Sequence, residues 1–177
     1  MKQHPDFDDH GNYDDYYEHL YPKFFMPALP LVEIPNACPE PVQDRIGAAS
    51  KILWVDPSSA ANRLRSATEA LMDDQGIPRK YADRHGKIRD ATLDRRIEAF
   101  KKAKQEYADA ADLLLAVKWI GNVGSHEDRL QIPDVLDGVE MLDFTLELIY
   151  DDRRDEIKKK AAAITARKGI PKRARGV

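Results

Sequence analysis

The stretch LLLAVKWIGNVGSH, residues 113–126, is the most apolar part of the chain, and it decides the fold. Its apolar residues recur at helical spacing, at positions 113, 114, 117, 120 and 121. One stripe of such a helix must be buried against several neighbouring helices, because a helix that is apolar over this length is not stable at a surface. The stretch therefore predicts the central helix of an all-α protein.

Two glycines and two polar side chains mark the end of this stretch. Gly121 and Gly124 interrupt the helix, and a glycine inside a helix costs about 1 kcal/mol relative to alanine. Two of them within four residues predict the close approach of another backbone, a helix end, or both. Asn122 and His126 are four residues apart, so they share one face if the helix continues through this turn.

The rest of the sequence predicts a proline-rich lead-in followed by more helices. Six prolines forbid a regular helix over residues 21–41, and this extended segment is expected to wrap the bundle. Residues 76–91 are expected to form an exposed polar loop, and no segment has strand periodicity. Helices are predicted at 41–55, 58–75, 92–107, 108 to about 122 or 126, and 133–150, the last able to continue to 167. The fold class is therefore all-α, a four-to-five-helix bundle with short connections.

Length, apolar content and cysteine content exclude several classes of protein. With 177 residues, of which 42% are hydrophobic and 33% charged, the chain has the composition of one helical globular domain. No run reaches the roughly 18 apolar residues of a transmembrane helix, and the N-terminus has no apolar signal core, so we expect a cytoplasmic protein without membrane contact. The single cysteine, Cys38, excludes a disulfide framework and a Cys-x-x-Cys zinc site, and no metal or cofactor is expected.

The two ends of the chain carry opposite charge. Residues 1–20 hold six acidic residues against one lysine, whereas residues 158–177 hold eight basic residues and no acidic one. We therefore divide the chain into an acidic arm (1–20), a helical domain (21–157) and a basic tail (158–177). The tail is either a solvated terminus or a source of sequence-independent phosphate contacts to nucleic acid, through Lys172, Arg173 and Arg175.

Two spaced motifs resemble those of a known family. Arg65-x-x-x-Glu69 lies on the second predicted helix, and Gly121-Asn122-x-x-x-His126 ends the central helix. Together with the proline-rich lead-in, they resemble the bacterial and phage domain-of-unknown-function family 4145 (DUF4145), over roughly residues 21–150. That family resembles the HEPN superfamily of helical bundles, which contains metal-independent ribonucleases and non-catalytic binding modules. The resemblance implies an HEPN-like bundle, a homodimer paired around the histidine motif, and a phage-defence or mobile-element setting.

The end of the central helix has three interpretations: a catalytic site, a structural helix end, or a contact with a nucleotide or other ligand in a non-catalytic site. In an RNA-cleaving or RNA-binding protein, His126 would act as acid or base, Asn122 would contact the phosphate or the 2′-hydroxyl, and Lys118 and Arg129 would supply positive charge. HEPN-type nucleases place an arginine four to six residues before the histidine, and this chain has none there. In the structural interpretation, Asn122 and His126 satisfy the carbonyl groups at the helix end.

Arg65 and Glu69 have three interpretations: a surface pair, a polar network, or part of a functional site. At a spacing of i, i+4 they can pair with each other on a helix surface. Alternatively, they join Asn122 and His126 in one polar network inside the bundle, which would fix the register of the helices. Because no motif for a cofactor, a nucleophile or a metal is present, the sequence favours a non-catalytic interaction or regulatory module, with a protein partner or RNA as its ligand.

Overall fold

The computed structural model describes residues 23–124, 130–151 and 153–169. Two short strands, β1 (Lys80–Ala82) and β2 (Ile88–Asp90), lie between the second and third helices, and a 3₁₀ turn, Gln105–Tyr107, precedes the fourth. The helices are α1 (Glu40–Ile52), α2 (Pro57–Asp74), α3 (Leu93–Ala103), α4 (Ala108–Val123), α5 (Ile132–Tyr150) and α6 (Arg153–Arg167). Helices account for most of the described residues, which confirms the prediction of an all-α fold.

The ends of the helices follow capping residues that can be recognised in the sequence. The side chain of Asp56 accepts a hydrogen bond of 2.9 Å from the backbone N–H of Ser59, and Pro57 occupies the first turn of α2. Gly76, with φ of 73°, takes the left-handed conformation that terminates α2. At the start of α5, the backbone N–H of Gln131 donates to Asp134 at 2.8 Å.

The apolar core lies where α2 and α4 cross. α2 contacts α1, α3, α4 and α5, and α4 contacts α2, α3 and α5. The extended segment before α1 also contributes Val32 and Cys38 to this core, as expected for a lead-in that wraps the bundle. The fully buried side chains include Ile46, Leu53, Leu64, Leu71, Phe100, Leu114, Leu142 and Leu146.

The region predicted to be a loop contains a β-hairpin. β1 and β2 pair antiparallel, with Lys80 opposite Asp90 and Ala82 opposite Ile88. Gly86, with φ of 75°, lies in the connection. The prediction that the chain has no strand is wrong here, because strands of three residues are too short to produce a recognisable alternation of apolar and polar side chains.

α1 and α3 end earlier in the structure than in the prediction, and the possible continuation of α5 to residue 167 is a separate helix. α3 ends at Ala103, because Lys104 leaves the helical region with φ of −132°, and the predicted continuation to Tyr107 is a 3₁₀ turn. α5 ends at Tyr150, because Asp151 adopts an extended conformation with ψ of 107°. The structure therefore separates α6 from α5, and the described part of the chain has six helices instead of four or five.

α6 lies across the expected boundary between domain and tail at residue 157. All of its described side chains, from residue 156 onward, are exposed. Within the described ranges, no helix combines the length and the apolar character needed to cross a membrane.

Candidate functional site

Gly121 and Gly124 lie where α4 crosses α2. A Cβ atom at Gly121 would lie 2.6 Å from Arg65 Cβ and 3.0 Å from the carbonyl oxygen of Ala61. A Cβ atom at Gly124 would lie 2.7 Å from the carbonyl oxygen of Ser58. Carbon atoms in contact are normally about 3.5–4.0 Å apart, so this crossing requires glycine at both positions. Gly124 is also the C-cap of α4, which confirms that these glycines mark both a close approach and a helix end.

Arg65 and Glu69 form an ion pair on α2. Arg65 Nη2 lies 3.1 Å from Glu69 Oε1, and both side chains are partly exposed. Such a pair contributes only a few tenths of a kcal/mol. The Cβ and Cδ atoms of Arg65 face Gly121, and Arg65 Nε is buried without a hydrogen-bond partner in the described part of the chain.

The structure brings Arg65, Glu69 and the end of α4 into one region. Asn122 lies in the last turn of α4 and is half-buried. His126, the other residue of the expected network and of the expected catalytic pair, lies outside the described residues. The four-residue network therefore stays a prediction, whereas the Arg65–Glu69 pair is present.

Lys118 lies on the inner side of α4. Only 6% of its side chain is exposed, and its ammonium nitrogen lies 2.9 Å from Asp94 Oδ1, in the first turn of α3. The same nitrogen is 3.3 Å from the ring centre of Trp119, a cation–π contact. This ion pair ties α4 to α3, and it does not support the nucleic-acid contact expected of Lys118. The other residues expected to bind nucleic acid lie outside the described residues: Arg129, Lys172, Arg173 and Arg175.

A polar cavity of about 380 Å³ lies between α1, α2, α3 and the hairpin. Its lining includes three arginines and three carboxylates: Arg45, Arg79, Arg96, Glu69, Asp73 and Asp90. Glu69 belongs both to this cavity and to the Arg65–Glu69 pair. Among the residues that the structure describes, no group of three or more histidine, cysteine, aspartate or glutamate side chains could hold a metal ion.

Arg96 is the buried cation of this cavity, with only 5% of its side chain exposed. Its guanidinium donates to Asp73 Oδ1 at 2.6 Å, to the carbonyl oxygen of Ile77 at 2.9 Å and to that of Glu69 at 3.2 Å. Arg79 donates to the same carboxylate from the exposed side, at 2.9 Å. The hydrogen bonds from Arg79 and Arg96 lower the pKa of Asp73 from 3.8 to about 2. The cluster therefore joins the end of α2, the loop after it and α3.

Sequence reasoning missed Arg96, although a signal was present. Leu93, Ile97 and Phe100 define the buried stripe of α3, and Arg96 falls within it at a spacing of i+3 from Leu93. A cation inside an apolar stripe indicates a buried ion pair or a hydrogen-bonded cluster. The partner, Asp73, could not be identified, because it lies on another helix.

The outer surface of α4 and α5 exposes four large apolar side chains. Trp119 is 56% exposed and Phe144 is 51% exposed. Asp137 and Glu140 of α5 are exposed on the same helix as Phe144. We define the α4–α5 face by its apolar members, Trp119, Val123, Leu136 and Phe144. Large apolar side chains exposed on two helices in contact are typical of contact surfaces.

The comparisons with known proteins give one match. A family described as "Domain of unknown function (DUF4145)" matches residues 47–167. The matched range includes the α2–α4 crossing, the α4–α5 face, α6 and the charged residues of the cavity other than Arg45. No curated protein and no solved structure matches the chain.

Proposed function

The chain belongs to the DUF4145 family, and from this premise we propose that it is a non-catalytic interaction module that forms a homodimer covering the α4–α5 face. The observation that carries the proposal is the exposure of Trp119 and Phe144 on adjacent helices. Single apolar residues are ordinary on a protein surface, whereas a group of large ones favours a partner. Homodimers with twofold symmetry are the commonest soluble oligomers.

The geometry around the family motif supports binding in preference to RNA cleavage. Metal-independent cleavage needs positive charge directed at the phosphate that develops negative charge in the transition state. Lys118 and Arg65 are the described cations near Gly121, and their charged groups are paired with Asp94 and Glu69. Gly121 has a packing explanation, since Arg65 and Ala61 of α2 occupy the space beside it. A regulatory role in phage defence or in a mobile element is the setting that the HEPN-like resemblance adds to this proposal.

The Phe144→Glu substitution is expected to weaken the dimer by about 30-fold or more, because it removes an apolar contact and introduces a charge into the interface. Sedimentation equilibrium over a concentration series measures the dissociation constant. Ile88→Glu is the matched control, since Ile88 is similarly exposed, at 62%, but lies on the hairpin. A wild-type chain that is monomeric at every concentration would refute the homodimer, as would a Phe144→Glu variant that dimerises like the wild type.

The alternative function is an HEPN-like ribonuclease or RNA-binding protein that uses His126. An RNA-cleavage assay distinguishes it from a non-catalytic module. We expect neither the wild type nor His126→Ala to cleave a mixed single-stranded RNA in the absence of metal ions. A thermal melt of both proteins is the control for folding. Cleavage by the wild type that disappears in an equally stable His126→Ala variant would contradict a non-catalytic function and support the ribonuclease.

A further inference from the structure

α6 has an apolar stripe that the described part of its own chain leaves uncovered. Ile157, Ala161 and Ile164 recur at i, i+4 and i+7 and therefore share one face. Ile157 is 64% exposed and Ile164 is 46% exposed. A helix of 15 residues is only marginally stable alone in water, so burial of this stripe would stabilise it.

α6 and α5 carry opposite charge. α5 contains five acidic residues and no basic one between positions 132 and 150. The described side chains of α6 include three consecutive lysines, 158–160, and Arg167, against the single carboxylate of Glu156. Lys158 and Lys160 flank the apolar stripe on opposite sides, as Asp137 and Glu140 accompany the apolar residues of α5. The two surfaces are therefore complementary in charge as well as in apolar character.

The apolar residues of the two helices also have similar spacing. Ile157 and Ile164 are seven residues apart, which corresponds to about 10.5 Å along a helix axis. Leu136 and Phe144 are eight residues apart, or about 12 Å. The apolar residues of the two helices therefore have a similar span along the helix axes, and Leu136 and Phe144 differ in direction by about 80° around α5.

We propose that α6 of one chain packs on the α4–α5 face of a second copy, whose α6 returns the contact. This inference rests on the proposed homodimer and identifies what covers its interface. A reciprocal exchange closes a dimer with twofold symmetry and leaves no further free site of the same kind. It also explains why the apolar stripe of α6 and the α4–α5 face are both exposed in the single chain.

Substitutions on opposite sides of α6 test this contact in the full chain. Ile157→Glu combined with Ile164→Glu places two carboxylates in the stripe, and we expect the dissociation constant of the dimer to rise about 30-fold or more. Ala162→Glu combined with Ala166→Glu adds the same two charges on the far side of the helix, and it should leave the constant within about threefold of the wild type. All four positions are exposed in the single chain, so the melting temperature should not change at a concentration at which the wild type is monomeric.

Mixing two defective variants distinguishes reciprocal exchange from other dimers. Phe144→Glu retains an intact α6, and the Ile157→Glu, Ile164→Glu variant retains an intact α4–α5 face. If the exchange is correct, an equimolar mixture forms heterodimers with one intact contact, with an affinity between those of the wild type and the separate variants. Sedimentation velocity, with one variant carrying a fluorescent label, measures this directly.

The other outcomes separate the inference from the proposed function. If Phe144→Glu is monomeric while the α6 variant dimerises like the wild type, or if mixing restores nothing, the α6 exchange is wrong and the homodimer remains. If the wild type is monomeric at every concentration, both the homodimer and the exchange are wrong. In that case, α6 covers the face of its own chain or the partner is a different protein.

Discussion

The Gly121→Ala substitution is expected to lower the free energy of unfolding by about 2 kcal/mol, although alanine is the better helix former. The added methyl group would lie 2.6 Å from Arg65 Cβ and 3.0 Å from the carbonyl oxygen of Ala61. Neither atom can rotate away, since one is a backbone atom and the other is bonded directly to the backbone. α2 and α4 must therefore separate, and overpacking of this kind costs about 1–3 kcal/mol or more. This cost exceeds the roughly 1 kcal/mol by which alanine favours a helix.

Gly47 provides the matched control within the same protein. It also lies inside a helix, α1, but a Cβ atom built there has no neighbour within 4 Å. Gly47→Ala should therefore raise the free energy of unfolding by about 0.5–1 kcal/mol. Urea denaturation of both variants gives the two changes on one scale. If Gly121→Ala were as stable as Gly47→Ala, close packing would not be the reason for glycine at position 121.

The α2–α4 crossing illustrates which part of the fold the sequence could predict. Two glycines in an apolar helix predicted a close approach, because an uncompensated glycine is unfavourable there. The spacing of Gly121 and Gly124 did not predict that the neighbour is α2, because Arg65 is more than fifty residues away from Gly121 in the sequence. The periodicity of a sequence predicts which side of a helix is buried. It does not predict which helix lies against that side, because this depends on how all the helices pack together to bury their apolar sides.

The charged residues show what sequence reasoning could not determine for the candidate site. Lys118 was expected to supply positive charge to a nucleic-acid contact. Helical spacing nevertheless puts it near the buried stripe that contains Leu114 and Gly121, and the partner is Asp94 on α3. The sequence identified Lys118 as a cation of the candidate site. Its pairing with Asp94 depends on the tertiary structure, because the two residues lie on different helices. His126 and Arg129 lie outside the described residues, so their expected roles at the site stay predictions.

The Arg96→Met substitution is expected to lower the free energy of unfolding by about 2–4 kcal/mol. Methionine retains much of the side-chain volume but leaves Asp73 and the carbonyl oxygen of Ile77 without their buried donor. Arg79→Met removes another donor to the same carboxylate, but Arg79 is 73% exposed, so the expected loss is below about 1 kcal/mol. Arg96→Lys should restore little, because an ammonium group cannot reproduce the planar fork that contacts three acceptors. Equal losses for Arg96→Met and Arg79→Met would contradict the role of the buried guanidinium.

The pH dependence of stability tests whether the charge of Asp73 is part of this effect. The pKa of Asp73 is lowered from 3.8 to about 2 in the folded protein, chiefly by hydrogen bonds from Arg79 and Arg96. A carboxylate with a lowered folded pKa contributes stability that is present above pH 3.8 and is lost as the pH falls toward 2. The difference in unfolding free energy between the wild type and Arg96→Met should therefore be largest above pH 4 and shrink between pH 4 and pH 2. A difference that stays constant over this range would assign the contribution of Arg96 to its carbonyl contacts alone, because those acceptors do not titrate.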